Sequence, residues 1–148
     1  LVAARFLSLL GTNVGTLLIF TDASAAEGYG LDQICGAGYG KALEFLVKDY
    51  LLTLHADAET QSAIKKALLG RCIKTYVKND NIKAVAERAA WLRNDETHYE
   101  RRWTDKDLGD LKRLISLCVT WIVMEKRTAA AIHDMPAEGP SPAGGQSA

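Results

Sequence analysis

The run LGDLKRLISLCVTWIVME, residues 108–125, decides the fold. Leu108, Leu111, Ile115, Cys118 and Ile122 recur at alternating spacings of three and four, which places all five on one stripe of an α-helix. Val119, Ile122 and Val123 are β-branched, yet they lie inside this helical pattern, so a strand reading fails. The helix is expected to run to about Glu125 or beyond. Just before it, Thr104-Asp105-Lys106-Asp107 has the form of an amino-terminal cap, with an acid three positions after the threonine.

Upstream the same period recurs. Tyr39, Leu43, Leu46, Val47, Tyr50, Leu51 and Leu54 predict a helix reaching about His55. Asp57 or Thr60 is suited to cap the next helix, which carries Ile64, Leu68 and Leu69 and which Gly70 is expected to interrupt or end. Ile73, Tyr76 and Val77 form a short helical patch closed by the turn signal Asn79-Asp80-Asn81. Ile82 to Leu92 is rich in helix formers. No segment alternates as a strand would, and the expected fold is all-α, a compact bundle of four to five helices.

Composition narrows the function classes. The chain has 148 residues with 18 basic and 18 acidic side chains, so its overall field draws neither nucleic acid nor an anionic membrane. Cys35, Cys72 and Cys118 are odd in number, far apart and flanked by apolar residues. They read as reduced core thiols of a cytoplasmic protein, not as a disulfide framework. His55, His98 and His133 are equally scattered, and neither a metal site nor a cofactor is expected.

Residues 1–20 are an open segment. Arg5, the apolar run from Phe6 to Phe20 and the following DASAA imitate a signal peptide, but Gly11, Thr12, Asn13, Gly15 and Thr16 make the run too polar and too short to span a bilayer. The domain is expected to cover 21–134, and the Pro/Gly/Ser-rich stretch 135–148 to be a disordered tail.

Two glycine or charge patterns invite functional readings. Gly36-Ala37-Gly38-Tyr39-Gly40-Lys41 imitates a phosphate loop, yet its flanks are helical and no Ser or Thr follows the lysine. Close helix packing is the expected explanation. Between Lys65 and Lys83 six cations face one acid. Arg71, Lys74 and Lys78 would share one face if that piece were a continuous helix, and could then hold a phosphate backbone or simply form a solvated face.

The octet LRNDETHY, residues 92–99, is the densest polar run. Continued as α-helix it would align Asn94, Asp95 and His98 on one face, with Arg101 and Arg102 one turn beyond. An arginine can steady phosphate charge, and an imidazole with its intrinsic titration near neutrality can move a proton, so Arg93 and His98 are candidate catalytic groups. The plainer alternative is a polar helix junction: His98 beneath Trp91, Arg93 paired with Glu96 or Glu100, and Asn94 and Asp95 serving backbone donors. Trp91, Leu92, Tyr99 and Trp103 are expected to hold the octet in place.

The stretches GAGYGKALEFLVKDYL (36–51) and KAVAERAAWLRNDETHYERRWTDKDLGDLKRLI (83–115) resemble an uncharacterised bacterial family grouped with the HEPN superfamily (higher eukaryotes and prokaryotes nucleotide-binding). The likeness runs from about Ala25 to about Lys126, including AAEGYGLDQICG. It implies a helical bundle that often dimerises and, in many members, a metal-independent endoribonuclease of toxin–antitoxin or defence systems. Such enzymes carry an Arg-x4-6-His motif, matched here by Arg93, Asn94 and His98. Two protomers would place their motifs over one RNA phosphate, with His98 managing the proton and Arg93 the charge. Asp95, Arg101, Arg102, Arg71, Lys74 and Lys78 would assist binding. The partners implied are RNA, a second copy of the chain, and an antitoxin or other protein, with no membrane. The resemblance equally admits a non-catalytic module binding RNA, a nucleotide or a protein, with a structural dimerisation domain behind these two. It also implies glycine where this chain has Arg93 and arginine where it has Gly40, so the arginine has been either lost or moved.

Overall fold

The computed structural model describes residues 14–139, which form six α-helices and no strand. They are α1 (Val14–Gly28), α2 (Asp32–Leu54), α3 (Ala58–Lys66), α4 (Leu69–Tyr76), α5 (Asp80–Asp95) and α6 (Leu108–Asp134). The architecture is an all-α bundle. Residues 1–13 and 140–148, which hold most of the signal-like run and of the tail, lie outside the described residues. Among the described residues, no helix is long and apolar enough to cross a membrane.

The α1–α2 hairpin forms because Gly30 takes φ +71°, the left-handed position that closes a helix. The Gly30 N–H donates to the Glu27 carbonyl and the Leu31 N–H to the Ala26 carbonyl, both at 2.9 Å. α1 begins at Val14, within the segment left open by the sequence, and its residues join the fold. Thr16 is buried and donates to Asp49 at 2.6 Å, and Leu17 and Phe20 pack on the core.

α2 starts seven residues before the expected Tyr39. No side chain caps it at Leu31, so the usual start signal is missing from the sequence. The Gly36–Lys41 run therefore sits inside a helix, where a phosphate loop cannot form. α3 is capped by Asp57, which accepts from the Thr60 N–H at 2.8 Å. The chain breaks at Ala67 and Leu68, both extended. Gly70 belongs to the first turn of α4, so it ends nothing.

Asn79 caps α5, accepting from the backbone of Asn81 and Ile82 at 3.0 and 3.1 Å. The cap of α6 is Asp107, not Thr104. Asp107 and Asp110 each accept the other's backbone N–H, at 3.0 and 2.9 Å, a reciprocal box three residues beyond the expected one. Leu111, Ile115, Cys118 and Ile122 are buried along the predicted stripe. The helix continues to Asp134, and its side chains are mostly exposed from Met124 onward.

The core gathers Leu43, Leu46, Leu51, Ile64, Ile73 and Ile82 around that stripe, each at most 1% exposed. Full burial of one such aliphatic side chain stabilises by about 1.5–3 kcal/mol. All three cysteines are free and buried, and burial pushes the Cys118 thiol up to about 12.

Candidate functional site

The octet does not continue as a helix. α5 stops at Asp95, and residues 96–100 turn away, so the one-face alignment of Asn94, Asp95 and His98 is replaced by a turn. The His98 N–H still donates to the Asn94 carbonyl at 3.0 Å, which keeps these two residues together. Both side chains are exposed. With the helix ended, Trp91 and His98 share no helical face.

Asp95 explains why the helix stops. Only 7% exposed, its carboxylate accepts the backbone N–H of Arg102 at 3.1 Å and of Trp103 at 2.6 Å. It thereby clamps the loop that joins α5 to α6. Two donors held by one buried carboxylate satisfy backbone groups that would otherwise be costly. Asp95 is a structural residue of the site and not a surface ligand. Trp91 and Trp103 stack across the loop, with centroids 5.9 Å apart and planes at 10°. Tyr99, expected to help hold the octet, is fully exposed and leaves that work to the two indoles, Leu92 and Asp95.

Arg93 turns the other way, toward α2. Its guanidinium pairs with Glu44 at 2.7 Å, and the other carboxylate oxygen of Glu44 pairs with Lys48 at 2.9 Å. Neither Glu96 nor Glu100 is its partner. Glu96 instead pairs with Arg101 at 3.3 Å and lies against Gly36, where any Cβ would overlap its carboxylate. Gly40 performs the same service for Arg93: a Cβ there would overlap the arginine Cγ and lie 3.2 Å from its Cβ. Positions 40 and 93, between which the sequence reading expected an exchange of glycine and arginine, are therefore in contact. An arginine rooted at either one would start from the same place between α2 and α5.

The remaining candidates are spread out. Arg101 donates to the Lys106 carbonyl at 2.9 Å as well as to Glu96. Arg102 is exposed, its guanidinium 5.9 Å from the Trp103 ring centre. Arg71 and Lys74 are exposed on α4, but that helix ends at Tyr76, so Lys78 lies past it and the continuous stripe does not form. The Lys83 ammonium donates to the Lys74 carbonyl at 3.2 Å, tying the α4 cations to the first turn of α5. His98 lies at the opposite end of that helix. At 1.5 Å per residue the two groups are separated by roughly 20 Å.

Sequence reasoning missed Glu44, the acid that Arg93 shares with Lys48. No signal could have found it, because the pair is 49 residues apart and Glu44 looks like an ordinary exposed helix residue. Comparison with protein-family models, with curated proteins and with solved structures found no match for this chain.

Proposed function

We propose that this chain is a HEPN-like helical module that binds single-stranded RNA through the polar surface at the carboxyl end of α5 and, in the form described, does not cut it. Exposed Asn94 and His98 offer hydrogen bonds to bases and sugar, and exposed Arg102 offers charge to a phosphate. The clamp made by Asp95 ties Arg102 back to the end of α5, where Asn94 sits. The observation that carries the reading is the Arg93–Glu44 pair at 2.7 Å. Held on Glu44, which it shares with Lys48, the Arg93 guanidinium is directed at α2 and is not free to bear on a phosphate beside His98.

The second reading is the metal-independent endoribonuclease. It is favoured by the exposure of His98 beside Asn94, and it requires Arg93 to leave Glu44, for instance when a second copy of the chain docks. Incubation of the protein with a pool of labelled single-stranded RNAs in EDTA separates the two. RNA retained intact by wild type and by Glu44→Gln supports the binding module. Cleavage that is lost in His98→Ala establishes the nuclease. Neither retention nor cleavage leaves the structural dimerisation domain.

A further inference from the structure

On the side of α5 away from Arg93, a groove of about 330 Å3 opens between α5 and α6, near the lower end of the range for small-ligand pockets, about 300–1,000 Å3. Trp91 and Arg93 are two residues apart and so roughly 200° around the helix, which separates this groove from the octet's arginine. Its walls include Arg88, Trp91, Trp103, Lys106, Asp110 and Arg113. Three cations thus face one carboxylate: Asp110 pairs with Arg113 at 2.6 Å and accepts the Asp107 N–H, Lys106 also reaches Asp105 at 3.7 Å, and Arg88 donates to the Ala84 carbonyl at 2.8 Å.

The aromatic component is equally specific. Trp91 is 40% exposed although one indole is stacked on the other, and the Arg88 guanidinium stands 5.7 Å from the Trp91 ring centre. Trp103 carries a buried indole N–H that has no hydrogen-bond partner among the described residues. A buried donor left unpaired is costly. Indole faces beside guanidinium and ammonium groups favour a flat π-system with negative charge at its edge.

From these walls we infer that the α5–α6 groove binds a small aromatic anion, with the ring against the tryptophans and its carboxylate or phosphate held by Arg88 and Lys106. Calorimetric titration of the full chain with 2-naphthoate, adenosine monophosphate, adenosine and inorganic phosphate tests this. The first two, which combine ring and anion, should bind at least about tenfold more tightly than ring or anion alone. Preference for the carboxylate or the phosphate compound assigns the natural anion. Arg88→Gln, an exposed substitution, should weaken binding about tenfold, and Trp91→Ala should weaken it further in protein whose circular dichroism is unchanged. Absence of heat with all four probes at millimolar concentration would overturn the inference. So would adenosine binding as tightly as its monophosphate. Affinity unaltered by both substitutions but lost in His98→Ala would move the probe to the octet and equally overturn it.

Discussion

Gly40 on α2 and Arg93 on α5 fit as a pair: the absence of a Cβ on the first makes the space for the aliphatic stem of the second. This contact lets the arginine reach Glu44 across the helix interface. Alanine at position 40 gains about 1 kcal/mol of helix propensity but collides with a stem that cannot swing aside while its far end is held. Gly40→Ala is expected to be net destabilising by about 1 kcal/mol, within the range of overpacking. In an Arg93→Ala background, where only the contact between the two Cβ positions at 3.2 Å remains, the same substitution should cost less. Urea unfolding of the four proteins measures the coupling, and additive effects would contradict the contact.

Asp95→Ala should be the most damaging single change in the octet. It strips two backbone N–H groups, those of Arg102 and Trp103, of a buried acceptor, at a cost of about 1–3 kcal/mol. Asp95→Asn keeps one carbonyl oxygen and should cost less. Hydrogen exchange at the Arg102 and Trp103 amides should accelerate in both, while α2 amides hold their protection. His98→Ala, at an exposed position, should leave stability within about 0.5 kcal/mol of wild type.

Docking of α1 should weaken in acid. Hydrogen bonds from Tyr39 and then Lys112 hold the Glu27 carboxyl below the usual carboxylate range, joining α1 to α2 and α6. A depressed folded-state pKa contributes stability that is present above the unfolded value, about 4.3, and is lost as pH falls through the folded one. The Tm gap between wild type and Glu27→Gln should therefore be open at pH 6 and narrow below pH 4. Tyr39 behaves with the opposite sign. Burial first, and then its bond to Glu27, push it up to about 12, so its contribution is complete below pH 10 and fades as pH climbs toward 12.

None of the three buried cysteines should react with an aromatic disulfide reagent at pH 8 in the native protein. Burial raises the Cys72 and Cys118 thiols, and it is the largest cause of the rise at Cys35. The reactive thiolate is therefore scarce as well as inaccessible. All three should label on addition of denaturant.

The helical stripe from Leu108 to Ile122 was legible because apolar period is a local property that packing then only has to satisfy. The cap at Asp57 was legible as one of two candidates with Thr60, and Asn79 was legible as a turn but not as the cap it forms for α5. The start of α2 was hidden by glycines and an uncapped Leu31. The end of α5 was legible as the alternative of a polar helix junction with Asp95 serving backbone donors, but which donors those are was hidden, because the Arg102 and Trp103 N–H groups reach Asp95 across a loop. At the candidate site the residue types were visible, but their grouping was not. Arg93 found its partner on a distant helix, and the cations of α4 came to rest at the other end of α5 from His98.

The proposed binding of RNA at the carboxyl end of α5 is tested most directly by its dependence on salt. Anisotropy of a labelled single-stranded RNA should be titrated in EDTA between 20 and 200 mM salt. With the one phosphate contact that Arg102 supplies, log affinity should fall against log salt with a slope of about −0.7, the RNA should be recovered intact, and Arg102→Ala should flatten the slope. An anisotropy that stays at the free-RNA value at 20 mM salt would contradict the account.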